Sequence, residues 1–97
     1  FPRSIVVFVG FPITADVATN RRTRDTYRTL IKTAQEHGWG EYRTHVQFMG
    51  DVMESYSFND HALRRFHEQI KDAIDPNGIL APGKNGIWPA RLRPARA

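Results

Sequence analysis

The sequence predicts a small α+β fold, and three observations carry that reading. A β-branched and aromatic run, Ile5-Val6-Val7-Phe8-Val9, stands near the start. Apolar residues then recur at helical spacing in three later stretches. An apolar segment too rich in proline and glycine for a helix or a central strand follows them. The 97 residues give room for one domain. A chain of that size buries roughly 60–65% of the surface its unfolded form exposes. Hydrophobic residues at 40% and charged residues at 25% argue against wholesale disorder. No apolar run approaches the ~20 residues that span a bilayer, so no membrane partner is expected.

Residues 3–11 read as a strand buried on both faces, closed by Pro12. Pro12, Thr14, Asp16 and Thr19 suit a loop leading to a helix cap. Tyr27, Leu30, Ile31 and Ala34 form the narrow stripe of a first helix that covers a sheet from one side, and Gly38 takes the C-terminal capping place. Gly38-Trp39-Gly40 is a compact turn. Thr44-His45-Val46-Gln47 fits a capping box, a hydroxyl residue followed three later by Gln or Glu. Behind it, Val46, Met49, Val52, Met53 and Tyr56 mark a second helix, which Gly50 weakens by about 1 kcal/mol relative to alanine. Asn59 or Asp60 caps a third, with Leu63, Phe66, Ile70 and Ile74 as its stripe. Asp75-Pro76-Asn77-Gly78 ends it. Residues 79–89 then lie extended across a larger body, because Ile79, Leu80, Ile87 and Trp88 are too apolar for a free tail.

The 14 basic residues, eleven of them arginine, against 10 acidic ones give a net charge of +4. Arg21, Arg22, Arg24 and Arg28 lie near Asp16 and Asp25, and Arg64 and Arg65 share a helix with Glu68 and Asp72. Only the tail, with Arg91, Arg93 and Arg96, is basic without an acidic neighbour. Solvated helix faces account for most of this charge, and no nucleic-acid partner is expected. With no cysteine there is neither a disulfide framework nor a thiolate metal site. His37, His45, His61 and His67 make no His-x-x-x-His pair, so no metal site is expected.

Tyr42-Arg43 is the pair that suggests chemistry. It follows the Gly-Trp-Gly turn and precedes a helix cap, a junction where loop backbone aims both side chains into one cavity. A tyrosine hydroxyl beside an arginine suits an anionic oxygen: one gives a short directional hydrogen bond, the other a permanent charge and a fork of donors. The alternative is an aromatic anchor beside a surface ion pair with Glu41.

Three segments carry a resemblance. They are Glu41-Tyr42-Arg43-Thr44-His45, then Phe66-His67-Glu68, then the run from Asp75-Pro76-Asn77-Gly78 through Ala81-Pro82-Gly83-Lys84-Asn85-Gly86-Ile87-Trp88-Pro89. Together they resemble the C-terminal end of the vanillyl-alcohol oxidase family of flavoproteins, the group of eugenol oxidase and 4-cresol dehydrogenase. The likeness is dense over residues 38–89. It implies FAD as cofactor and para-substituted phenols as substrates, with hydride passing from the benzylic carbon to the flavin and leaving a quinone methide. It further implies that Tyr42 and Arg43 are catalytic and bind the phenolate, Arg43 also lying near the flavin. Glu41 then lines the substrate pocket, and Lys84 runs close to the cofactor.

On the same grounds residues 1–38 end a substrate-covering cap domain with its last strand and helix, and 39–97 close the FAD-binding domain. A homo-oligomer or a cytochrome subunit is compatible with the likeness. A shorter form of the final string also resembles oxidases of 2-hydroxy acids, in which an arginine would bind a carboxylate. A lone strand cannot make a sheet. Together with a start at Phe1-Pro2-Arg3, that leads us to expect a piece of a longer protein, one that by itself holds no FAD and turns nothing over. No compartment follows from the sequence.

Overall fold

The computed structural model describes residues 3–94. Three helices build it: α1 (Val17–Glu36), α2 (Met49–Ser55) and α3 (Phe58–Ile74). A 3-10 turn, Val46–Phe48, leads into α2, and two more, Lys84–Gly86 and Ala90–Leu92, punctuate the last segment.

α1 begins earlier than the sequence suggests, because Asp16 caps it: its carboxylate accepts from the Thr19 amide at 2.8 Å. Its far end closes as expected on Gly38, whose φ of +72° suits a residue without a side chain. The Trp39 amide donates to the Ala34 carbonyl at 2.8 Å and the Gly38 amide to Gln35 at 2.9 Å, the paired bonds of a Schellman motif. The Ile31, Phe48 and Val52 side chains form the buried cluster, with Tyr27 packed against it. Arg28 strengthens the joint between α1 and α2. Its guanidinium lies over the Phe48 ring and 3.4 Å from the Asp51 carboxylate.

Four expectations need correction. The strand over 3–11 does not form, and no strand occurs among the described residues. Ile5 and Phe8 are 93% and 91% exposed there. The chain supplies no second run to fill the ladder, so the α+β reading gives way to a helical one. The Thr44 capping box is absent as well: His45 caps the 3-10 turn, its Nδ1 accepting from the Gln47 amide at 3.1 Å. Neither Asn59 nor Asp60 caps α3. Both adopt left-handed conformations (φ of +49° and +52°), as does His61, and Arg65 binds the two carbonyls of Asn59 and Asp60 at 3.0 Å each. The tail is not without acidic neighbours either, since Arg93 grips the Asp72 carboxylate with both terminal nitrogens, at 2.6 and 2.8 Å.

After α3 the chain turns at Asp75, whose carboxylate is buried. Lys71 stands 2.5 Å from one oxygen, and the Ile79 and Leu80 amides donate to the carboxylate at 2.9 and 3.0 Å. Beyond the turn the segment folds back onto α2 instead of running fully extended. The Asn85 amide reaches the Met49 sulfur at 3.4 Å, and Pro89 is fully buried. Leu63, Phe66 and Ile74 of α3 stay exposed. The radius of gyration, 15.7 Å, exceeds the roughly 13 Å of a compact domain of this length.

Two stability predictions follow from this packing. Lys71, aided by the two amides and opposed by burial, holds the Asp75 carboxyl below its ordinary range. Its contribution is therefore present above the ordinary carboxylate pKa and is lost as pH falls through the lower folded value. Asp75→Asn is expected to reduce stability at neutral pH and to flatten its dependence as pH falls below the ordinary carboxylate range, measured by circular dichroism melts at neutral and acid pH. Phe48→Ala should cost about 3 kcal/mol, visible as a lowered denaturation midpoint.

Candidate active site

α2, α3 and the returning segment enclose an open concavity of about 740 Å³. Its lining is part apolar, with Val52 and Met53 from α2 and Leu63, Ile70 and Ile74 from α3. Polar residues complete it: Glu41, Tyr42, Arg43 and Thr44 from the loop before α2, and Lys84 and Asn85 from the returning segment. All four residues expected from the sequence to form a site thus border one cavity.

Tyr42 and Arg43 stand in an irregular loop between α1 and the 3-10 turn, and both are exposed. The Arg43 guanidinium carbon lies 5.5 Å from the centroid of the Tyr42 ring, a cation–π stack between neighbours. Neither the Tyr42 hydroxyl nor the Arg43 guanidinium has a hydrogen-bond or ion-pair partner among the described residues. The surface ion pair with Glu41, the alternative reading of the sequence, is therefore not made. A stacked phenol and guanidinium with their donors free suit an anionic oxygen.

Glu41 is engaged elsewhere. The Tyr27 hydroxyl of α1 donates to its carboxylate, and the Tyr56 hydroxyl, at the end of α2, donates to its carbonyl at 2.9 Å. Gly40 makes the second contact reachable, because a Cβ there would lie 2.7 Å from the Tyr56 oxygen. Burial, and then the Glu41 carboxylate, push the Tyr27 hydroxyl up to about 12. Tyr27 therefore stays a neutral donor across the physiological range. The sequence placed both tyrosines in apolar stripes and missed their hydroxyls. A half-buried phenol needs a partner for its O–H, and that is the hint the sequence held.

Lys84 sits on the 3-10 turn that packs on α2. Its ammonium has no partner among the described residues. Lys71, also on the cavity wall, is occupied by Asp75 and by the Leu80 carbonyl. No group of three His, Asp or Glu side chains that could hold a metal occurs among the described residues, and no described helix is long and apolar enough to cross a membrane.

Residues 8–85 match the family of FAD linked oxidases, C-terminal domain. Over 67 residues the chain is 34% identical to the 4-cresol dehydrogenase [hydroxylating] flavoprotein subunit of Pseudomonas putida, a match covering 69% of this chain and 12% of that protein. The solved structure of 4-ethylphenol oxidase from Gulosibacter chungangensis, in complex with isoeugenol, superimposes with a TM-score of 0.76 at 57% identity. That match covers 81% of this chain and 15% of the oxidase. The chain thus spans about an eighth of the lengths of these relatives, and it belongs to the C-terminal domain family of the FAD linked oxidases.

Proposed function

We propose that this chain is the closing segment of an FAD-dependent oxidoreductase acting on para-substituted phenols, in which Tyr42 and Arg43 bind the phenolate oxygen. The observation that carries the reading is the free donor pair itself, a guanidinium whose carbon lies 5.5 Å from the centroid of a neighbouring phenol ring, both residues lining a largely apolar concavity. A phenolate needs an apolar bed for its ring and cationic donors for its oxygen, and this wall has both. The names of the two relatives, a cresol dehydrogenase and an ethylphenol oxidase, support the same substrate class.

The residues present fit one edge of a flavin. Arg43 and Lys84 are cations without an ion-pair partner among the described residues, and both line the cavity, a charge suited to the electron-rich part of an isoalloxazine. When bound, FAD supplies the hydride acceptor. The chain's own part is narrower. Arg43 stabilises the deprotonated substrate by charge and Tyr42 by a directed hydrogen bond, so the ring is held with its para substituent pointing inward. Glu41 borders the same pocket.

On this reading residues 1–38 finish the cap domain and 39–97 close the FAD-binding domain, the join falling on the Gly38-Trp39-Gly40 turn. Residues 3–11 would pair with a sheet that the rest of the protein supplies. Because one relative is a flavoprotein subunit, a subunit partner, such as a cytochrome or a second copy, belongs to the same proposal.

In the intact flavoprotein, Tyr42→Phe is expected to lower kcat/KM for 4-ethylphenol about 10- to 100-fold, and Arg43→Ala further. Unchanged phenol turnover in Tyr42→Phe, or turnover of D-lactate in place of phenols, overturns the assignment. The 97-residue chain purified by itself is expected to carry no FAD. A flavin absorbance band copurifying with it would contradict that.

A further inference from the structure

We propose that Tyr27 and Tyr56 are positioning residues for the Tyr42-Arg43 pair, acting through Glu41; the inference rests on the phenolate reading above. Residues 39–45 belong to no regular element, so no backbone ladder fixes where Tyr42 and Arg43 point. Their aim has to come from the ends of the loop.

Both ends are tied. Upstream, the Schellman bond from the Trp39 amide to Ala34 fixes the exit from α1, and the His37 ring stacks on Trp39 at 4.8 Å. Downstream, His45 caps the 3-10 turn through its Nδ1. The residue next to the pair, Glu41, is held twice. Tyr27 takes its side chain and Tyr56 its backbone carbonyl, from two different helices. A carbonyl held by a hydrogen bond fixes the orientation of the peptide plane that leads into Tyr42. A carboxylate engaged by Tyr27 of α1 is held away from an ion pair with Arg43, which leaves that guanidinium free.

Tyr27 is itself immobile. Its ring meets Phe11 edge-on at 5.3 Å and Phe48 at 4.5 Å, so its hydroxyl is a fixed point supplied by the core. Tyr27 is not among the residues that line the concavity, whereas Tyr56 borders it; in this scheme each acts by fixing Glu41.

A double-mutant cycle in the intact flavoprotein tests this. Tyr27→Phe keeps the ring and its packing, and is expected to lower kcat/KM for 4-ethylphenol about fivefold, with a melting temperature close to that of the parent. In a Tyr42→Phe background the same change should cost less than about twofold, because the hydroxyl it positions is gone. Tyr56→Phe, which lies outside the buried cluster, should behave alike. Equal losses in both backgrounds mean that the tyrosines act on the fold alone, and overturn the inference. No loss from either change, while Tyr42→Phe does impair turnover, also overturns it and leaves the phenolate reading intact. If Tyr42→Phe has no effect, the phenolate reading fails and this inference fails with it. Titrating the chain at 295 nm gives an independent check: a tyrosine ionising near pH 12 should vanish in Tyr27→Phe, and its persistence there contradicts the bond to Glu41.

Discussion

The Tyr27 ring stands between Phe11 and Phe48, and its hydroxyl donates to the Glu41 carboxylate, so one side chain belongs to the core and to the site at once. The aromatic contacts fix α1 against the turn before α2. The hydrogen bond carries that fixed position across to the loop that bears Tyr42 and Arg43. Ordering a loop residue costs about 1–2 kcal/mol in backbone entropy, and a seven-residue loop without a ladder cannot recover that from its own contacts. Here a half-buried ring packed on the core offsets part of that cost. The neutral state of the hydroxyl matters for the same reason: an ionised Tyr27 would face Glu41 with like charge and release the loop.

A second set of polar contacts does for the C-terminal half what Tyr27 does for the first. The apolar cluster is small, and much of the stripe on α3 stays exposed, so burial alone does not explain why the segment after Ile74 is ordered. Asp75 and Arg93 do. Asp75 receives one cation and two amides, close to the full complement that makes burying a carboxylate tolerable. Arg93 forks onto Asp72, lies 3.7 Å from Glu68 and donates to the Trp88 carbonyl at 2.9 Å. Between these two clamps the chain packs onto α2, and Lys84 comes to line the same cavity as Arg43.

Much of this was legible in the sequence, and the exceptions have physical causes. The three helices, the Gly38 cap and the stop at Asp75-Pro76-Asn77-Gly78 follow from spacing and local turn chemistry, which act over a few residues. The four candidate site residues could be named because a motif fixes them. Their shared border on one cavity comes from the packing of three elements, and no local rule contains that. The strand is absent among the described residues because a β-branched run states a preference that only a neighbouring strand can fulfil. The Thr44 capping box failed because His45 stood one residue closer with a usable ring nitrogen. Tyr27 and Tyr56 were hidden by their own periodicity, since a tyrosine in an apolar stripe looks like core until its hydroxyl partner is seen. Arg93 was missed because its acidic partner lies 21 residues earlier, brought near only when the tail folds back.

The openness of the concavity bears on how the proposed site would work. Tyr42 is 72% exposed, and Arg43, also exposed, makes no hydrogen bond or ion pair among the described residues beyond its stack on that ring. In water such donors discriminate weakly, because solvent competes for every bond and screens the charge. The same pair beneath a cover that excludes water would hold an anionic oxygen far more strongly, with no change in its own geometry. The work is therefore divided. On the proposed reading this chain contributes donors whose positions are set in advance, and a cover over the concavity would contribute the low dielectric that gives them strength. An exposed, rigidly held pair is the economical form of the first half, since free donors cost little while solvated and lose little freedom when covered.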